Sequence, residues 1–458
     1  MRKILPIGTY GYDNEQASSR KLVNCTAEQG PTDGNNPIIV RRMPGIDSFA
    51  TAGTMNRGAH VFKDELYTVS GTSLYKTDIN GVVTTIGSLP GTGRVRIADN
   101  GVTMVIVTNP LAYSTTGTSI TQITDSVFTG FGGASDVAFL DGYLIFTVPN
   151  SRVTFTSGLN ALTFNALDFA SIEGSTDNLL GVIIDHRQAI FFKERSTELW
   201  YDAGISTGYP LARSPNGFLE VGCASRNTVA KLGGAVYWLA DDFTVRQLSG
   251  SSPVIITNPG VAKFIRNGTN PLGFAYTFED KHYYTLTFDG VTIEYDILAK
   301  EWHNRSTFAR SNWQVLTTIE VYGDILALDS NSGKIGKLSN LVRTEFGGTQ
   351  KVSWTYQEIA SEGRRIVHNR FELEIGTGVG LTTGNGSDPQ IGLWISDDGG
   401  KQFYEYDTRS LGKTGEYLDR VYWTDLGSSY NRVYRCEVSD AVDVLAFNTS
   451  IEVVGGLF

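Results

Sequence analysis

Seven apolar or aromatic strands recur along this chain, each turning through Gly, Asn or Asp and running back. Their centres fall near Tyr67, Val105, Leu144, Phe191, Tyr237, Tyr284 and Leu326, at intervals of 38, 39, 47, 46, 47 and 42 residues. A period of roughly 40–50 residues made only of strands is the spacing of propeller blades. One blade cannot bury its own apolar faces, so blades must stack in a ring. The expected fold is all-β, a β-propeller of about six or seven blades. The first unit reads most clearly. Glu65 to Val69 turns at Ser70-Gly71-Thr72 into Ser73 to Lys76, and Asn80-Gly81 then leads into Val82 to Ile86.

The repeats occupy residues 58–349. Helical periodicity is confined to a single short turn near Val261 to Asn267. Residues 350–458 change character. Longer alternating strands such as Arg370 to Ile375, Ile391 to Ser396 and Asn431 to Val438 read as a C-terminal β-sandwich, expected to cap one side of the propeller. Residues 1–57 read as an irregular arm, with loop signals at Gly30-Pro31, Asp33-Gly34 and Asn36-Pro37. One short strand, Pro37 to Arg41, is the candidate for closing the ring by pairing with the last blade.

Thirty-eight Lys and Arg stand against 48 Asp and Glu, a net charge of -10. That balance argues against a protein that wraps nucleic acid by neutralising phosphates, and permits a surface that DNA slides past. Cys25, Cys223 and Cys436 have no framework spacing and are expected to be free thiols in a reducing compartment. The start, Met1 to Pro6, is basic but lacks the apolar stretch of a signal peptide, because Gly8, Tyr10 and Asp13 interrupt it. No run approaches the roughly 20 apolar residues that span a bilayer, so no membrane segment is expected.

Catalytic patterns are scarce. Ser396-Asp397-Asp398-Gly399-Gly400-Lys401-Gln402-Phe403 fits S-x-D-x-G-x-x-F and resembles the Asp box of sialidases and other propeller proteins. Its chemistry is that of a turn. Ser396 and Asp398 can bond backbone amides, Gly400 permits positive φ and Phe403 packs beneath, so a structural clasp is expected. A sialidase needs several arginines in one pocket and a Tyr with an acidic partner. Arg41-Arg42 and Arg364-Arg365 are only pairs, and neighbours on a strand face opposite ways. His60, His186, His282, His303 and His368 have no metal-ligand spacing, and each is expected to make one local hydrogen bond. Asp241-Asp242, Asp324, Asp329 and Asp398 read as solvated turns rather than calcium ligands. No phosphate loop, nucleophile elbow or dinucleotide fingerprint is present. No catalytic residue, cofactor or metal is expected. Arg57, Arg94, Arg96, Arg432 and Arg435 read by default as scattered solvated charge.

Several stretches taken in order resemble one family: Arg41-Arg42-Met43-Pro44-Gly45-Ile46 with Arg57-Gly58-Ala59, Leu66-Tyr67 to Ser73-Leu74-Tyr75-Lys76, and Gly91 to Val95. Ser196 to Trp200, Gly222-Cys223-Ala224 to Trp238, and Ile395 to Tyr404 continue the series. Over most of its length the chain is similar to the packaged-DNA stabilisation proteins of short-tailed bacteriophages, the tail hub or nozzle family. The resemblance implies a non-enzymatic virion protein, assembled in the bacterial cytoplasm as a homo-oligomeric ring, a hexamer. That ring would extend the DNA channel below the portal and adaptor, touch packaged double-stranded DNA transiently, and mount spike or needle proteins. The competing expectation from residues alone is a propeller glycosidase or depolymerase acting on host polysaccharide. A secreted carbohydrate-binding module is a third, weakened by the missing signal peptide.

Overall fold

Each of the seven sequence repeats supplies the second strand of a four-stranded antiparallel blade. A computed structural model of the protein describes residues 2–5, 21–29, 38–205, 207–361, 363–384 and 386–455. Blades one to five are contiguous sheets beginning at Asn56, Arg96, Asp136, Leu179 and Ala230. Blade six runs from Leu272–Phe278 to Glu301–Arg305. Blade seven takes three strands, Val315–Val321, Asp324–Asp329 and Lys334–Ser339, from one end of the repeat region. Its fourth, Gly45–Thr51, comes from the other end, so the ring is a seven-bladed propeller.

The second strands are apolar without alternation because both of their faces are covered. Met104–Val107 and Ala235–Leu239 are buried at every residue. Seven separate apolar cores sit between successive blades, one at each of the seven junctions. Tight hairpins hold the strands in register. At Asp141-Gly142 the two turn residues have φ of 48° and 96°, which the Asn/Asp-Gly pair tolerates and most residues do not.

The closing strand differs from the expected one. Gly45–Thr51 pairs antiparallel with Lys334–Ser339, Ile46 lying opposite Leu338. The expected closer is instead a sandwich strand: Ile38–Arg42 pairs with Cys25–Gln29 on one side and with the C-terminal strand Leu445–Gly455 on the other. The physical reason is burial. Val40 and Arg42 point into the sandwich, whereas Ile46 enters the core between blades six and seven. Pro37 and the loop signals at 30–37 lie outside the described residues.

The N-terminal region therefore builds much of the sandwich. One sheet holds Cys25–Gln29, Ile38–Arg42, Leu445–Gly455, Ile366–Ile375 and Val421–Thr424, with Arg2–Ile4 added on Leu445–Gly455. The facing sheet runs Lys21–Val23, Val352–Thr355, Asn431–Val438, Gln390–Ser396 and Tyr404–Ser410. Trp354, Tyr356, Phe371, Trp423 and Tyr434 fill the space between them. The sandwich does not cap the propeller. Val23 pairs parallel with Asn304, on the outermost strand of blade six, so one sheet continues from the propeller rim into the sandwich. Near this joint the expected single turn is a full helix, Pro259–Asn267, capped by the Asn258 side chain.

Candidate functional site

The sequence-level candidates fall into three places: a sandwich hairpin, the cleft beside it, and the propeller axis. In the hairpin, the Ser396 hydroxyl accepts from the Gly400 amide at 3.0 Å and donates to Asp398 at 2.6 Å. The Asp398 carboxylate also accepts from the Lys401 and Gln402 amides at 2.9 and 3.0 Å. The Ser396 hydrogen bond, then those amides, hold the Asp398 carboxyl below its ordinary range. The Ser396 hydroxyl and the Asp398 carboxylate are thus spent on their own turn. Phe403 faces outward against Arg435, whose guanidinium stands 4.3 Å from its ring and 4.9 Å from that of Trp394.

Arg435 belongs to a cross-strand row on the outer face of its sheet: Lys21, Thr355, Arg435 and Trp394 lie opposite one another in turn. This face forms one wall of a cleft of about 770 Å³ between sandwich and propeller. The helix Pro259–Asn267 and the loop 306–311 form the other wall. Lys21, Lys263, Arg310, Lys351 and Arg435 line it against two carboxylates, Asp289 and Glu437. Lys351 pairs with Glu437 at 2.6 Å.

The propeller axis is occupied. Residues 225–228 form a short turn just before blade five, capped by Ser225. Arg94 and Arg96 of blade two donate to the Asn227 carbonyl and side chain at 3.0 and 2.5 Å. Arg226 binds Asp136 of blade three at 2.5 Å and the Val182 carbonyl of blade four at 2.8 Å. The Thr228 hydroxyl accepts from Leu239 of blade five, and its carbonyl from Tyr284 of blade six. Only a turn lying across the bore can touch blades two to six at once. Arg57 of blade one is buried, its guanidinium held by the carbonyls of Gly71, Leu89 and Gly93.

The arginines are thus not scattered solvated charge. Arg432 too is buried and forks onto Asp397 at 2.6 and 2.7 Å. Arg41 is exposed and Arg42 buried, opposite faces of one strand, while Arg364 and Arg365 are both exposed. The histidines stay apart. His60 meets Asp99, His186 meets Asp185, His282 meets Thr277 and His303 meets Glu294, while His368 has two partners, Ser429 and Tyr434. Asp241 accepts from the Gly222 amide, Asp242 and Asp329 bond their own turns, and Asp324 pairs with Lys337. Among the described residues no group of three or more His, Cys, Asp or Glu could hold a metal, and no helix is long and apolar enough to cross a membrane.

Comparison with known families assigns the chain. The family model for the bacteriophage P22 Gp10 β-propeller matches residues 4–343, and that for the bacteriophage P22 Gp10 β-sandwich matches 354–454. The chain belongs to the bacteriophage P22 Gp10 family. Members of the P22 Gp10 family are phage tail structural proteins and components of the virion, the class that the ordered stretches above resemble. No curated protein matches. Solved structures that resemble the chain include BamB from Moraxella catarrhalis, at 12% identity over 63% of this chain and 97% of that one, TM-score 0.38. The Pan2 WD40 domain of Neurospora crassa follows at 8% identity over 65% and 96%, TM-score 0.43. YCF48 bound to D1 peptide is 12% identical over 73% and 98%, TM-score 0.40. Likenesses this low carry no argument about function.

Sequence reasoning named Arg94, Arg96 and Arg435 but missed Arg226, Asn227 and Trp394 as their partners. No spacing rule marks them, since the turn before blade five meets blade two only across the ring, and Trp394 meets Arg435 only through strand pairing in the sandwich.

Proposed function

We propose that this P22 Gp10 family protein is the ring-forming hub of a phage tail. In this reading copies of the chain assemble into a closed ring, a hexamer, below the portal and adaptor. The ring extends the DNA channel, retains the packaged genome and carries spike or needle proteins. The observation that carries the reading is the family match over both domains. Two features of the fold support it. The strand Lys21–Val23 ties sandwich to blade six through one continuous sheet, which suits a load-bearing wall. The turn 225–228 blocks each propeller bore, so a duplex must pass between protomers rather than through one. We assign the protein no catalysis, because the Asp box and all five histidines are engaged in local bonds. Negative-stain imaging of the protein mixed with candidate portal-complex proteins tests this. Rings that add to the adaptor support it. A persistent monomer that releases sugar from host envelope overturns it in favour of a depolymerase.

A further inference from the structure

Three guanidiniums converge at the head of the propeller bore with one carboxylate to balance them. Arg94 and Arg96 are two residues apart and so share one side of their segment. Both donate to Asn227, at 3.0 and 2.5 Å. Arg226 precedes Asn227 in the chain and is paired with Asp136. Arg94 and Arg96 meet no carboxylate within ion-pair distance among the described residues. The local charge is three minus one, a surplus of two positive charges inside a protein whose net charge is -10. Burial first, and repulsion from Arg226 second, push the Arg94 guanidinium down to about 10 and that of Arg96 well below its ordinary value. Each guanidinium carries five N–H donors. Arg94 and Arg96 each spend one on Asn227, and the rest have no protein acceptor among the described residues.

We propose that this site binds one oxyanion of the phosphate class on the propeller axis. Its double charge matches the surplus of two, which a single carboxylate would leave half compensated. The planar fork of arginine fits tetrahedral oxyanions in paired hydrogen bonds, and the guanidiniums are only partly exposed, so water screens their charge less than at an open surface. The source is either free phosphate, sealed in as a structural ion, or a phosphomonoester such as a nucleic-acid end.

The test uses the full chain. Inorganic phosphate is titrated at constant ionic strength against chloride, with stoichiometry from calorimetry and melting temperature as a second readout. One phosphate per chain and a saturable rise in melting temperature are expected. Arg96→Gln should weaken binding about tenfold or more, as loss of a charged hydrogen bond does. Asn227→Asp keeps the acceptor for Arg96 and installs one of the two missing negative charges. It should fold at least as stably as wild type without phosphate and lose the phosphate response. This second variant keeps the test informative if Arg96→Gln fails to fold. Competition by a 5′-phosphorylated oligonucleotide, but not its dephosphorylated twin, assigns the phosphomonoester source. Phosphate binding without that competition assigns the sealed ion. No binding, or equal binding by wild type and Asn227→Asp, overturns the proposal.

Discussion

Arg435 stands with its guanidinium 4.3 Å from the ring centre of Phe403, so the aromatic of the Asp-box turn holds a cation at the edge of the junction cleft. The box was expected to pack its aromatic under its own hairpin. It does something further: bonds from Ser396 and Asp398 fix the turn, and the turn fixes Phe403 against Arg435. Asp398→Ala should lower the melting temperature by about two degrees or less and leave assembly intact. The sign with pH follows from the depressed carboxyl. Its contribution is full above the unfolded value near about 4 and fades as pH falls below it, so variant and wild type should converge in acid. Unchanged melting with lost assembly would show a partner contact in place of a clasp.

Closure of the ring rests on a short N-terminal strand whose two faces differ. Ile46 is wholly buried between blades six and seven, and the next residue, Asp47, is exposed. Ile46→Ala should cost about 2–5 kcal/mol, the range for truncating a buried aliphatic side chain. Asp47→Ala should stay within about 0.5 kcal/mol. Chemical denaturation of the two variants measures the difference. Equal effects would mean that the strand does not close the propeller core.

The repeats, and a count of about six or seven blades, were legible in the sequence because a strand covered on both faces is largely apolar, and Tyr67, Val105 and Tyr284 mark such strands directly. The closing strand was not. Ile38-Ile39-Val40 looks more strand-like than Gly45-Ile46-Asp47, and only long-range pairing decides which sheet each joins. The turn chemistry of Ser396 and Asp398 was readable, since its partners lie within six residues. The pairing of Arg96 with Asn227 was not, because it spans 131 residues across the ring.

His368 gives the sandwich an acid-sensitive element. It lies between the Tyr434 and Ser429 hydroxyls, at 2.9 and 3.0 Å. Burial, with repulsion from Arg432, pushes its imidazole down to about 4. A depressed histidine favours the folded state fully above its unfolded value of about 6.5. That advantage is lost progressively as pH falls from there toward about 4, because the unfolded chain takes up the proton first. Stability measured across this window should fall in wild type and fall less in His368→Asn. Parallel curves would remove His368 as the cause.

Cys25, Cys223 and Cys436 are unpaired and buried, one near the start of the sandwich, one beside blade five and one in the central sandwich strand. Burial pushes the Cys25 and Cys223 thiols up to about 12 and Cys436 higher. Only the thiolate reacts, so the native protein should resist thiol reagents near neutral pH. After unfolding without reductant the titration should reach three. A count of one would mean that two sulfurs pair in solution.

The charge balance predicts weak adhesion to DNA. A net charge of -10 is repeated in every copy of an assembled ring, which multiplies the field that a passing duplex meets. The structure removes several cations from any such surface. Arg42, Arg57, Arg305 and Arg432 are buried, and Arg94 and Arg96 face the blocked propeller bore. Accessible basic residues gather around the junction cleft, whose about 770 Å³ suits a small ligand or a peptide segment but not a rigid duplex. Neutralised phosphates dominate non-specific DNA affinity, and too few accessible cations lie together here to supply it. Filter binding of the isolated protein to double-stranded DNA should therefore show little retention at physiological salt. Tight retention near the micromolar range, falling steeply as salt rises, would instead place a basic track on the surface and refute a channel that repels its cargo.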